Sequence, residues 1–172
     1  MNSRLPFMNT YHVSRLDHSG PETSAAIHAV MMAAYRVEAD SLGVKEFVPL
    51  HRTRAQIAAA RAVFFGISIA GTLAAVAELE AKESGRSHIG SLVAHPSHFR
   101  RGLATALLRH ILRTHGSDEI TVSTGFRNRP ALLLYAAQGF DEQCRWTTSD
   151  GIPMVTLLLG ARPTSLTGRG RR

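Results

Sequence analysis

Apolar positions recur along this chain with two periods, and the period changes at identifiable residues. Ile27, Val30, Met31 and Ala34 fall three and four apart, which predicts a helix opened by Pro21-Glu22-Thr23 and running to about Tyr35. Thr10 to Leu16 reads as a short strand ahead of it. Asp40 to His51, with Gly43 and Pro49, reads as irregular, and Thr53 caps a short helix from Arg54 to Arg61. Val63, Phe64, Phe65, Ile67 and Ile69 then favour a strand through β-branching and aromatic bulk. The stretch Thr72 to Ala81 is rich in Ala, Leu and Glu, and its local propensity favours helix. Yet Leu73, Ala75, Ala77 and Leu79 alternate, and Ala70-Gly71 before them suits a tight turn, so the two segments are read as a hairpin.

Downstream the pattern is cleaner. Ser87 to Ala94 is a strand ended by Pro96. Gly102 to His115 is a helix with Leu103, Leu107, Leu108, Ile111 and Leu112 on one face. Glu119 to Thr124 is a strand, and Pro130 to Gln138 is a helix stopped by Gly139. Phe140 to Thr148 and Met154 to Leu159 are strands joined by the turn sequence Ser149-Asp150-Gly151. Strands and helices in this order predict an α/β (α+β) domain, a mixed sheet with helices on both faces.

Composition narrows the class. Hydrophobic residues are 44% of the 172 and charged residues 19%, the mixture of a globular domain. Twenty Lys+Arg against 13 Asp+Glu leave a net charge of +7. Four of the excess charges, Arg162, Arg169, Arg171 and Arg172, stand in a Gly/Ser/Thr/Pro-rich tail. We therefore divide the chain into a tail at 1–9, one domain at 10–160 and a basic, disordered tail at 161–172. Cys144 is the only cysteine, which excludes an intrachain disulfide and a Cys-based zinc site; no metal site is expected. The longest uncharged stretch, Ala62 to Ala77, is shorter than the roughly 20 apolar residues of a membrane span, and Met1 to Leu16 has no hydrophobic signal core, so the expected location is cytoplasmic. There is no basic helix with interleaved aromatics, which makes nucleic acid a poor candidate partner.

Two runs carry candidate chemistry. The first is Leu92-Val93-Ala94-His95-Pro96-Ser97-His98-Phe99-Arg100-Arg101-Gly102-Leu103-Ala104: a strand, a basic turn, then a helix that begins at a glycine. The first N–H groups of a helix lack internal partners and sit at the positive end of its dipole, a setting that binds phosphate. Gly102 and Ala104 keep side-chain bulk off that end, and Arg100 and Arg101 add positive charge at its rim. No Gly-Lys-Ser/Thr follows, and the three glycines of a dinucleotide fingerprint are missing. The second run is Asn128-Arg129-Pro130-Ala131, followed by Tyr135 and by Gly139-Phe140. Asn128 suits a helix cap, Pro130 the first turn, and Tyr135 lies one turn beyond Ala131 on the same face.

The ordered pair of runs, separated by one helix and one strand, resembles the GNAT family of N-acetyltransferases. The specific likeness covers roughly Ser87 to Phe140. It implies a mostly antiparallel sheet and acetyl-coenzyme A as cosubstrate. It implies that the pantetheine arm lies along Leu92, Val93 and Ala94, where Pro96 and the turn force the strand away from Glu119 to Thr124. The diphosphate would rest on the N–H groups from Phe99 to Ala104, with Asn128 and Ala131 beside the arm. One position departs from the family pattern: Phe99 stands where Gln or Arg is usual, with Arg100 or Arg101 as basic substitutes.

The resemblance further implies direct acetyl transfer to an amine, with Tyr135 as the acid for the departing sulfur and the N–H of Ala94 available to the oxyanion. For the base, Glu78 is the first candidate, ahead of Glu80, His95 and His88. The acceptor site is expected from Met31 to Leu50, where Tyr35, Arg36, Glu38 and Asp40 supply polar groups. A non-catalytic acyl-coenzyme A-binding module is the alternative function. Monomer and homodimer are both open, since a terminal hairpin edge can pair with a second subunit.

Overall fold

The structure is a computed structural model, and it describes residues 11–83, 85–115 and 119–160. The two tails read from the sequence, 1–9 and 161–172, lie outside those residues. The elements follow the order β1 (Ser14–Leu16), α1 (Pro21–Leu42), α2 (Arg54–Ala58), β2 (Val63–Ile69), β3 (Thr72–Lys82), β4 (Arg86–Ala94), α3 (Leu103–Thr114), β5 (Glu119–Gly125), α4 (Arg129–Ala137), β6 (Asp141–Thr147) and β7 (Pro153–Leu159). Among the described residues the strands make one seven-stranded sheet, β1-β2-β3-β4-β5-β7-β6. Every neighbouring pair is antiparallel except β4 with β5.

The hairpin reading of Val63 to Ala81 holds, with the second strand one residue longer, to Lys82. Its two-residue turn has positive φ at both Ala70 and Gly71, 50° and 78°, the twist that matches paired strands. The Ala/Leu/Glu arm is a strand despite its helical propensity, because Ala74, Ala75, Val76 and Ala77 are buried between two helical layers and only small side chains fit. On one face α3 and α4 pack against the sheet. Leu107, Leu108 and Ile111 of α3 are fully buried there, each contributing about 1.5–3 kcal/mol. On the other face α1 and α2 bring Ile27, Met31 and Ile57 onto Phe64 and Val76.

Helix α1 is two turns longer than its apolar period predicts. It ends at Gly43, whose φ of 68° lets its N–H reach back to the carbonyls of Ala39 and Asp40. After Tyr35 only Ala39 and Leu42 still meet the core, too few to sustain the apolar period. Val37, Glu38, Ser41 and Leu42 line a cleft. The predicted irregular segment therefore begins only after Leu42. Helix α2 is shorter than expected, and Thr53 and Gln56 close a capping box at its start.

Candidate functional site

Strands β4 and β5 pair in parallel only from Arg86↔Glu119 to Ile89↔Val122. Beyond Ile89 the β5-facing edge of β4 has no strand partner, while β4 stays paired to β3 through Ala94. The separation starts at a bulge. Leu79 pairs with Ile89 and Glu78 with Ser91, so Gly90 is the extra residue. A Cβ at Gly90 would come within 2.8 Å of Glu80 Oε1, the end of a side chain that can shift, and 3.3 Å of Glu78 Oε2. The expectation that Pro96 and its turn pull the strand away is thus corrected. The strands part well before Pro96, at the bulge, where an unpaired residue sharpens the local twist.

A cleft of about 470 Å³ occupies this gap. Leu92, Val93 and Ala94 form its floor. Ala34, Glu38 and Leu42 of α1 line it from one side, and Leu103, Ala131 and Tyr135 of α3 and α4 from the other. Since α1 lies on one face of the sheet and α3 and α4 on the opposite face, the cleft gives access to the same strand edge from both faces.

At the α3 end, Gly102 is the N-cap with φ 80°, and the first helical bond runs from Ala106 N–H to its carbonyl. The N–H groups of Leu103, Ala104 and Thr105 precede that bond, and all three residues line the cleft. A Cβ on Gly102 would meet nothing within 4 Å, so its backbone conformation, not crowding, demands glycine. Arg100 also has positive φ, 61°, and lines the cleft. Arg101 does not line it. Its Nη1 donates to His98 Nδ1 at 2.9 Å, and its carbonyl accepts from the Tyr11 hydroxyl at 2.8 Å. Of the two expected substitutes for the missing polar side chain, Arg100 is the one directed to the cleft, beside a Phe99 ring that is 43% exposed.

Asn128 caps α4 as expected, its Oδ1 accepting from Ala131 N–H at 3.3 Å. Its Nδ2 donates to Glu38 Oε1 at 2.9 Å, a link between α4 and α1 that sequence spacing did not suggest. Tyr135 is 4% exposed and stacks edge-on against Phe140. Its hydroxyl has no hydrogen-bond partner among the described residues, and no buried side-chain oxygen or nitrogen there lacks one. The hydroxyl must therefore open into the cleft that Tyr135 lines. Burial, reinforced by the charge on Glu38, raises its pKa well above the ordinary phenol value, so the proton is held at neutral pH.

Glu78, expected as the base, is not among the residues that line this cleft. It is 2% exposed on the α1 face of β3. Arg52 Nη1 and Nη2 donate to its two oxygens at 2.5 and 2.7 Å, and Ser91 Oγ donates at 3.1 Å. Ser91 in turn bonds the Tyr35 hydroxyl at 2.8 Å. Both lone-pair faces of the carboxylate are thus engaged, and the group clamps the bulge of β4 onto α1 and the segment before α2. Glu80 is bridged to Lys82, and His88 bonds Thr121 where β4 and β5 are still paired. His95 caps the turn at Pro96–His98 through the N–H of Ser97. Glu38 is the acid in the cleft that the sequence reading ranked only among several polar groups. The signal for it was the four-residue spacing of Ala34, Glu38 and Leu42, legible only once α1 is carried through to Leu42.

Comparison with known proteins agrees with this architecture. The family model described as acetyltransferase (GNAT) family matches residues 26–140. The chain belongs to that family. It is 31% identical over 128 residues to the UPF0157 protein YqkA of Bacillus subtilis strain 168, a match that covers 74% of this chain and 37% of that protein. The chain thus spans little more than a third of that relative's length. Among solved structures, it is similar in fold to the ribosomal-protein-S18-alanine N-acetyltransferase from Escherichia coli, with a TM-score of 0.70 at 18% identity over 92% of this chain and 99% of that one. It is similar also to yncA from Salmonella typhimurium, solved with its cofactor acetyl-CoA, with a TM-score of 0.67 at 15% identity over 91% and 97%.

Proposed function

We propose that this protein is an N-acetyltransferase that moves an acetyl group directly from acetyl-coenzyme A to an amine. The observation that carries the reading is the continuous cleft from the open helix start at Gly102, along the unpaired edge of β4, to the hydroxyl of Tyr135. Acetyl-coenzyme A supplies the activated acyl group. The N–H groups at the start of α3, with Arg100 beside them, suit its diphosphate. The edge of Leu92 to Ala94 offers backbone partners to an extended amide-bearing arm, and Ala131 and Leu134 close the cleft over it.

The thioester then lies between the two faces of the sheet, and the amine approaches from the α1 side. An N–H of the β4 edge, such as that of Ala94, donates to the oxygen on which charge develops. Tyr135 keeps its proton at neutral pH and donates a hydrogen bond to the sulfur as it departs. With so weak an acid, full transfer of that proton requires its replacement from the attacking nitrogen, which must in any case lose two protons. The acceptor and the compartment in which it is met belong to the same proposal; the expectation is a cytoplasmic enzyme, and among the described residues no helix is long and apolar enough to cross a membrane.

Calorimetric titration with acetyl-coenzyme A, followed by thiol release against a panel of amines, tests the reading. Saturable binding and amine-dependent release are expected. Binding without release from any amine would favour an acyl-coenzyme A-sensing module, and absence of binding would remove the proposal.

A further inference from the structure

We infer that Glu38 is the seat of the acceptor: its carboxylate binds the incoming amine as an ammonium ion and takes the first of its protons, and the acceptor is an amine with a single positive charge on an apolar body. This rests on the acetyl-transfer reading above and names its substrate class.

One carboxylate in the cleft carries an unbalanced charge. Carboxylates removed from water are ordinarily paired with a cation. The other half-buried and buried acids among the described residues follow that rule: Glu78 is held by Arg52, Glu80 by Lys82 and Glu119 by Arg86. Glu38 is the exception. It is half-buried, it accepts one hydrogen bond from Asn128, and no cation reaches it among the described residues. It stands in the wall of the cleft, on the face of the sheet opposite the Gly102 helix start. Burial raises its pKa, so it binds a proton more readily than an exposed glutamate. A cation arriving through the cleft would supply the partner that the fold withholds.

The surroundings limit what that cation can be. Ala34, Val37 and Leu42 flank Glu38 on α1, and Leu92 and Val93 lie across from it. The other charged or titratable side chains that line the cleft are His98, Arg100 and Tyr135. A second positive charge on the acceptor would find no further carboxylate in the cleft lining, only apolar and neutral polar side chains and the like charge of Arg100. The ammonium gives one proton to Glu38, which passes it to water. The freed nitrogen bonds the acyl carbon, and the carbon–sulfur bond breaks with its electron pair on sulfur. The nitrogen's second proton replaces the one that Tyr135 gives to that sulfur. One amide, one thiol and one released proton result.

The test is a calorimetric titration of hexylamine, 1,6-diaminohexane and hexanol into the wild type, Glu38→Gln and Glu38→Asp, each with and without coenzyme A. Glutamine keeps an oxygen for Asn128 and removes only the charge, so a merely structural role would survive the change. We expect hexylamine to bind the wild type, to bind Glu38→Gln at least about tenfold more weakly, and to be partly restored in Glu38→Asp. Diaminohexane should bind the wild type more weakly than hexylamine, hexanol should be insensitive to the substitution, and the affinity for acetyl-coenzyme A should not change. Equal hexylamine affinity in the wild type and Glu38→Gln, or no hexylamine binding at all, overturns the inference. If acetyl-coenzyme A fails to bind while Glu38-dependent amine binding persists, the transferase reading falls and the amine site stands.

Discussion

Removing Arg52 should unfold this protein more readily than any other single change of a surface-reaching charge. In Arg52→Met the aliphatic stem is kept and the guanidinium lost, leaving Glu78, 2% exposed, with only the Ser91 hydroxyl. Breaking a fully buried ion pair from one side costs about 3–5 kcal/mol, because the remaining charge has neither water nor partner. The Arg52 side chain is 24% exposed, so solvent screens part of the attraction, and about 2–4 kcal/mol is the expected loss. For a chain of this size that lowers the melting temperature by roughly 5–15 °C. Urea denaturation of Arg52→Met, Glu78→Met and the double variant Arg52→Met/Glu78→Met measures it as a thermodynamic cycle. The double variant should return to within about 1 kcal/mol of wild type, since no charge is then stranded. A loss under about 1 kcal/mol in Arg52→Met would refute the clamp. So would a Glu78→Gln variant that keeps its stability but loses more than about a hundredfold in kcat, the behaviour of a general base.

Further outcomes follow from the same geometry. Tyr135→Phe should bind acetyl-coenzyme A as wild type does and lose about 10²–10⁴-fold in kcat for thiol release; unchanged turnover would remove the hydroxyl from the reaction. Arg100→Gly should relieve a positive φ of 61° and raise stability by about 1 kcal/mol in urea titrations, while weakening acetyl-coenzyme A binding in calorimetry through the lost charge. Gly102→Ala should cost about 1–2 kcal/mol of stability, because alanine is strained at a φ of 80°; a neutral result would mean the loop relaxes freely. Glu38→Gln should raise the melting temperature at neutral pH and leave it unchanged in acid. The folded-state pKa of this acid is raised, so its burial destabilises the fold only above the unfolded value, progressively as pH climbs through the window up to the folded one. A Glu38→Gln melting profile parallel to wild type across that window would show that the carboxylate is not desolvated.

Much of this protein is local, and the local part was legible in the chain. Gly102 needs its backbone conformation, Asn128 needs only Ala131 three residues on, and α3 declares its buried face by spacing alone. These properties involve neighbours within a turn or two, so the order of residues carries them, and the open helix start at Gly102 and Tyr135 were nameable for that reason. What the order could not convey was which side chains meet across the sheet. Glu78 and Glu80 looked alike as alternate residues of one strand, yet one is clamped by Arg52, 26 positions away, and the other is bridged to a neighbouring lysine. Glu38 looked like one more polar residue past the end of a helix, until packing carried that helix on to Leu42 and set its last turns against a cleft. The parting of β4 from β5 likewise came from a bulge at Gly90 opposite two buried or half-buried acids, not from the proline that marks the end of the strand. Charge pairing and desolvation depend on distances between residues remote in the chain, and only the folded arrangement assigns them.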